Sequence, residues 1–381
     1  MALTPLESAA RERTRERKPS VVAKMERYAE KLARNESIAM IQLQYRYGCN
    51  IECQHCSISG FQGRRPVGAK FLTPEKVRAI YEEAHALGHA QTTISGGEPL
   101  IFKDLFKVIE AINPERFFIQ IDTNGWYLTE QKARDLYAAG VDKIQVSLDS
   151  SIAAEHDAFR RAPGAYERAV AGIANAKAAG LAVVLATVVT RQRIYTQEWR
   201  DFLNWARDMD YPVAYLWPKL TGEWEGAGDA LPLPEDLAYM KAMADEYGLR
   251  DRTSPWFGLD VGCNAMKRSI TITDIGDVLA CHWMYFSFGN VWQEALGDIT
   301  ARGMQYFGPR TDTCRVSQDA NFITKYIHPT FGRTSTDPLL LATDVLGSVE
   351  DFHAHEVMPV GSEKAKQLPP LGRRLPVLEA V

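Results

Sequence analysis

The stretch YRYGCNIECQHCSISG, residues 45–60, sets Cys49, Cys53 and Cys56 in a glycine-flanked loop directly after a strand-like run, Ala39 to Arg46. Outward from that loop the chain alternates. Helix-patterned Pro74 to Leu87 precedes strand-patterned Gln91 to Ser95, then helix Lys103 to Ile112, strand Phe117 to Ile121, helix Thr129 to Ala139 and strand Lys143 to Leu148. Helix Tyr166 to Ala179, strand Ala182 to Val189, helix Gln197 to Met209 and strand Val213 to Pro218 continue the rhythm. Six strands separated by helices predict an α/β fold with parallel pairing, because a parallel neighbour is reached only by a crossover. Such sheets place chemistry at the carboxyl ends of their strands. The informative residues obey that rule: the cysteines follow the first strand, Gly96, Gly97 and Glu98 the second, Thr123 and Asn124 the third, and Ser147 and Asp149 close the fourth.

The bulk composition narrows the function. The chain has 381 residues, 46% of them hydrophobic, enough for one large domain with an appendage or for two domains sharing an interface. A formal charge of -4 gives no basic field for nucleic acid. No run approaches the roughly 18 apolar residues of a membrane span, and the N-terminal residues lack a secretory apolar core. Six cysteines are too few for a disulfide scaffold, and three of them within eight positions suit metal binding in a reducing compartment, so a cytoplasmic location is expected.

Flanking segments complete the expected organisation. Residues 6–35 carry Val21, Val22, Met25, Tyr28, Ala29 and Leu32 at helical spacing and predict one amphipathic lead-in helix. The Gly/Pro/acid-rich passage Thr221 to Asp236 is expected to end the sheet or form a lid. Beyond it, Lys267 to Thr273 and Asp277 to His282 read as two short strands turned at Gly276, with a helix near Trp292 to Ala301, as a small separate module. The tail from Pro359 has no clear period and is expected to be docked or mobile. The expected division is 1–38, 39–235, 236–330 and 331–381.

Three thiolates at Cys49-x3-Cys53-x2-Cys56 can wrap three irons of a cubane and leave the fourth iron without a protein ligand. The competing readings are a zinc site, with His55 completing the set, in a non-catalytic interaction protein, or three metal-free thiols. This spacing resembles the signature of the radical S-adenosylmethionine (SAM) superfamily. ISGGEPL (Ile94 to Leu100) is similar to the family's GGEP segment, and IDTNG (Ile121 to Gly125) and VSLDS (Val146 to Ser150) are similar to its further SAM-contacting segments. The resemblance spans roughly residues 39–218. It implies a partial (β/α)6 TIM-like barrel, a 4Fe-4S cluster on Cys49, Cys53 and Cys56, and SAM contacts from Gly96, Gly97, Glu98, Thr123 and Ser147. It also implies reductive cleavage of SAM to a 5'-deoxyadenosyl radical that abstracts hydrogen from substrate, with the cofactors supplying the hard step. The plainer readings are that Gly96 and Gly97 only make a turn and that Thr123 and Ser147 only cap helices.

Cys263, Cys281 and Cys314 form the second set. With Gly276 and the following GNVWQEALGDI they resemble the opening of the SPASM/twitch extension, a small α+β module that holds auxiliary iron–sulfur clusters. The resemblance implies one auxiliary 4Fe-4S cluster with an open iron or a non-cysteine ligand, with His282, Asp312 and Asp319 as candidates. Ordinary buried cysteines, or a hydrogen-atom donor to a substrate radical, are the alternatives.

The expected activity is dehydrogenation, epimerisation or rearrangement of a small biosynthetic molecule such as a sugar or nucleoside; the alternative is peptide maturation. The implied partners are the substrate and a one-electron reductant such as flavodoxin or ferredoxin. After the later strands, Arg191, Trp217, Lys219, Glu223 and Glu225 are candidate substrate contacts, the two glutamates as proton acceptors.

Overall fold

The computed structural model describes residues 5–63, 66–251, 259, 261–333 and 336–371. Strands β1 (Met40–Arg46), β2 (Gln91–Gly96), β3 (Phe118–Thr123), β4 (Lys143–Ser147), β5 (Ala182–Val188) and β6 (Val213–Leu216) lie parallel and adjacent in chain order. Each alternates two kinds of side chain. Leu43, Ile94, Ile121 and Ile144 stand in register across four strands, fully buried. Each contributes roughly 1.5–3 kcal/mol relative to an exposed position. The intervening Gln42, Gln44, Ser95, Asp122, Gln145 and Ser147 face the other way and line an open cavity.

Helices α4 (Pro74–Ala86), α5 (Leu105–Ile112), α6 (Glu130–Ala138), α7 (Ala153–Arg160), α8 (Ala165–Ala178) and α9 (Gln197–Asp208) make the crossovers. Local chemistry starts them. Thr73, Thr129 and Thr196 each accept a backbone N–H of the first turn. Pro74 occupies a first-turn position, where no N–H is needed.

The lead-in is three helices rather than one: α1 (Pro5–Arg17), α2 (Pro19–Glu26) and α3 (Tyr28–Ala33). Pro19 cannot continue a helix and biases Lys18 out of the helical region, where it sits at φ -138°. Lys18 is buried, donating to Phe117 O and Gly140 O and pairing with Asp142. Lys24 donates to His89 O and Arg116 O at 2.6 Å, and Lys31 to Leu87 O at 2.5 Å. These ammonium groups satisfy carbonyls just past α4, α5 and α6, at the end of the sheet away from the cysteine loop.

The Thr221–Asp236 passage folds into short turns and then α10 (Pro234–Tyr247). It clasps the cysteine loop, because Glu223 N donates to Cys56 O at 3.0 Å. Beyond α10, strand β7 (Ser269–Ile272) pairs in parallel with β1, and β8 (Val278–Leu279) pairs antiparallel with β7. The hairpin expected within a separate module therefore extends the barrel sheet to eight strands, in the order β6-β5-β4-β3-β2-β1-β7-β8. Helix α11 (Leu296–Phe307) starts later than its pattern suggested, since Asn290 first organises a turn by accepting from Trp292 N.

The tail is docked as far as residue 371. Ala320 N donates to Met358 O and Val360 N to Gln318 O, and the Phe352 ring lies 5.4 Å from Tyr306 and 5.2 Å from Phe307. Residues 372–381 lie outside the described residues. No described helix is long and apolar enough to cross a membrane.

Candidate active site

The loop after β1 and the ends of β2 to β6 surround an open cavity of about 1250 Å³, mouth included. Cys49, Cys53 and Cys56 all line it, as free thiols. Burial pushes the Cys49 thiol up to about 11 and raises that of Cys56. The three thiols share one short loop and one cavity, with sulfur as the common donor atom. Among the described residues no three or more His, Cys, Asp and Glu are gathered to hold a single metal ion. The spacing fits a cubane, whose thiolates occupy separate corners.

The loop is gripped through backbone. Gly97 N donates to Arg46 O and Glu98 N to Gly48 O, each at 2.9 Å. A Cβ at Gly97 would lie 1.9 Å from Gly48 O, so this approach requires glycine. Gly97 therefore serves the seat of the cysteine loop and is more than a turn residue.

Glu98 is buried and its carboxylate is fully employed. Oε1 accepts from Thr123 Oγ1 at 2.6 Å and Leu100 N at 3.0 Å, and Oε2 accepts from Asn124 N at 2.8 Å. Burial, partly offset by these donors, moves its carboxyl up to about 7. Thr123 also accepts from Gly125 N at 3.0 Å, so its hydroxyl ties the β3 loop to the β2 loop instead of capping a helix. Ser147 opens onto the cavity at the end of β4. Asn124 is joined to the cysteine loop by donating to Asn50 Oδ1 at 2.9 Å.

His55 is half-buried, stacked on Phe159 at 4.4 Å and near Trp224 at 6.0 Å. Burial holds its imidazole down to about 3. It is an apolar support for the loop in its neutral form.

The later candidates separate. Trp217 and Lys219 line the cavity, where the Lys219 ammonium donates to Trp217 O at 2.8 Å and lies 4.7 Å from the Trp283 ring centroid. Glu223 and Glu225 do not: both are exposed, Glu223 facing Arg161 at 3.7 Å and Glu225 accepting from Gly332 N at 2.8 Å. Their segment is buried through Trp224, and the alternation along the turn throws the neighbouring carboxylates outward. Arg191 is likewise taken up structurally, pairing with buried Asp236 at 2.7 Å where α10 begins. The polar inner rung of Gln42, Gln44, Asp122 and Gln145 was not singled out from the sequence, although its signal, polar residues alternating with Ile, Leu and Val, is present in IQLQYR and FIQIDT.

Cys263, Cys281 and Cys314 lie on segments that the fold brings side by side. Cys263 N donates to Thr311 O at 2.6 Å, and Met266 N to Ala280 O at 3.1 Å. Gly262, at φ +62°, has its Cβ position 2.1 Å from Thr311 O. Burial raises the Cys263 thiol first, and the nearby Cys314 raises it further, while Lys267 and Arg315 oppose that shift. Of the candidate fourth ligands, Asp319 is fully buried and committed to His355, Phe322 N and Met358 N, and Asp312 is exposed beside Arg310. His282 lines the cavity with Trp283. Tyr285 donates to Ser57 O and packs on Phe61, so the chain after Cys281 rests against the first cysteine loop.

Comparison with known proteins agrees with this geometry. Residues 44–206 match the sequence profile of the Radical SAM superfamily. An AdoMet-dependent heme synthase from Methanosarcina barkeri is 24% identical over 70% of this chain and 83% of its own. A GTP 3',8-cyclase from Thermodesulfovibrio yellowstonii is 31% identical over 48% of this chain and 56% of its own. The solved structure of anSMEcpe with bound AdoMet and a peptide superposes with a TM-score of 0.56, at 14% identity, over 83% of this chain and 96% of the other, a likeness of fold. The cysteine loop, the strand-end segments beside it and the matched profile agree: residues 44–206 carry a radical SAM domain, and enzymes of that superfamily use a 4Fe-4S cluster and SAM.

Proposed function

We propose that this radical SAM enzyme takes hydrogen from a carbon of a small anionic biosynthetic molecule, such as a sugar acid or nucleotide, giving dehydrogenation, epimerisation or rearrangement. The carrying observation is a single cavity lined both by the cysteine loop and by Trp217, Lys219, His282 and Trp283, the last two adjoining Cys281. Bound there, the cluster and SAM supply one-electron cleavage and hydrogen-atom abstraction. Cys49, Cys53 and Cys56 hold the cluster. Gly97 and Glu98 keep the cysteine loop and the β3 loop in register, and Ser147 borders the SAM side of the cavity.

On the substrate side, the indoles of Trp217, Trp224 and Trp283 exclude water, and Lys219 orients a carboxylate or phosphate. Cys263, Cys281 and Cys314 would hold one auxiliary 4Fe-4S cluster, which would supply a one-electron acceptor or donor beside the substrate. A flavodoxin or ferredoxin delivers the first electron.

The test uses the anaerobic enzyme, unlabelled SAM and extracts of cells grown in deuterated medium. Transfer of deuterium into 5'-deoxyadenosine from a low-mass fraction that binds an anion exchanger is the expected result. Lys219→Gln should then raise KM for that fraction about tenfold or more. Deuterium arriving only from peptides would replace this reading with peptide maturation.

A further inference from the structure

Arg160 ends α7, and Arg161 follows it in the left-handed region at φ 50°. The cysteine loop docks on that helix end: Gln54 N donates to Phe159 O at 3.2 Å, and Gln54 Nε2 to Ala158 O at 2.9 Å. The negative end of a helix dipole thus faces a loop whose occupant becomes more negative on reduction. The Arg160 guanidinium sits at that point. It is 7% exposed, donates through Nε to Asp149 Oδ2 at 2.6 Å, and directs Nη1 to Cys53 Sγ at 3.7 Å.

Asp149 is itself fixed. Its Oδ1 accepts from Val188 N at 3.1 Å, and its own N–H donates to His156 Nδ1 at 3.1 Å. Of the Arg160–Asp149 pair, the cation is the partner in contact with the Cys53 sulfur.

We infer that Arg160 is a positioning residue for electron transfer: it raises the reduction potential of the cluster held by Cys49, Cys53 and Cys56. Adding one electron places negative charge on the cluster and its thiolates. A guanidinium held against one of those sulfurs, in a buried setting, stabilises the reduced form more than the oxidised one. Asp149 keeps the guanidinium in place from its far side. The inference rests on the reading that these three cysteines hold the cluster.

The test is an EPR-monitored redox titration of the reconstituted full-length protein, following the reduced-cluster signal that SAM perturbs, with iron content and SAM affinity measured alongside. Arg160→Met should move the midpoint to more negative potential with iron content unchanged. Arg160→Lys, which keeps charge but loses the fork, should fall between Met and the wild type. If Met loses the cluster, the Lys variant decides by the same shift. An unmoved midpoint in a fully loaded variant overturns the inference, and so does an unmoved midpoint with SAM affinity lowered manyfold, which would make Arg160 a SAM contact. Should the SAM-perturbed signal survive Cys49→Ala, Cys53→Ala and Cys56→Ala together, the underlying cluster assignment fails instead.

Discussion

The two cysteine sets are built in opposite ways. Cys49, Cys53 and Cys56 share one loop of eight positions, whereas Cys263, Cys281 and Cys314 are spread over three segments joined by backbone bonds such as Cys263 N to Thr311 O. A local set needs only its loop to be seated. A dispersed set exists only when β7, β8 and the chain to residue 314 are packed. The first set is thus tied to the edge of the barrel between β1 and β2, and the second to the folding of everything after α10.

The largest contrast should appear in metal content. Replacing Cys49, Cys53 and Cys56 by Ala, or Cys263, Cys281 and Cys314 by Ala, should each lower about eight irons per chain to about four, measured with sulfide after anaerobic reconstitution. Zinc without sulfide in the wild type would break the comparison altogether.

Next come the two glycine seats. Gly97→Ala puts a Cβ 1.9 Å from Gly48 O, and Gly262→Ala puts one 2.1 Å from Thr311 O. Each should cost on the order of 3 kcal/mol locally. The signature is selective: Gly97→Ala should lose the SAM-perturbed cluster signal, and Gly262→Ala the other one.

A further contrast is electrostatic. The first site contains a buried carboxyl, Glu98, moved up to about 7 from an ordinary value near 4.5. A raised acid means that the folded state binds more protons, so its contribution is present below about pH 4.5 and is lost as pH rises through 7. Glu98→Gln should therefore flatten the fall in urea midpoint of the metal-free protein across that window. The flattening amounts to up to roughly 3 kcal/mol.

The smallest effect belongs to the exposed pair. Glu223→Gln and Glu225→Gln should leave 5'-deoxyadenosine formation within about twofold of wild type, because a surface substitution away from the cavity carries little. A loss of a hundredfold at either position would return the carboxylate to the cavity.

Much of the first site could be read from residue order alone, for the reason that makes it local. A strand followed by Cys49-x3-Cys53-x2-Cys56, with GGEP at the next strand end, places its own parts through short-range pattern. Strands β1 to β6 came from the same kind of pattern. The partnership of β7 with β1 did not, since four buried residues, Ser269 to Ile272, match many edges and the choice is made by tertiary packing. Pro19 announced a break in the lead-in that the longer apolar spacing obscured. Glu223 and Glu225 misled because a carboxylate near a strand end says nothing of its direction; Trp224 between them took the inward position.

The most direct measurement is 5'-deoxyadenosine formed from SAM by the dithionite-reduced chain, compared between the two triple-Ala variants. The expected result is abolition in Cys49/Cys53/Cys56→Ala and survival, without substrate turnover, in Cys263/Cys281/Cys314→Ala. Undiminished cleavage in the first variant, or its loss only in the second, would contradict the assignment of SAM to the loop after β1.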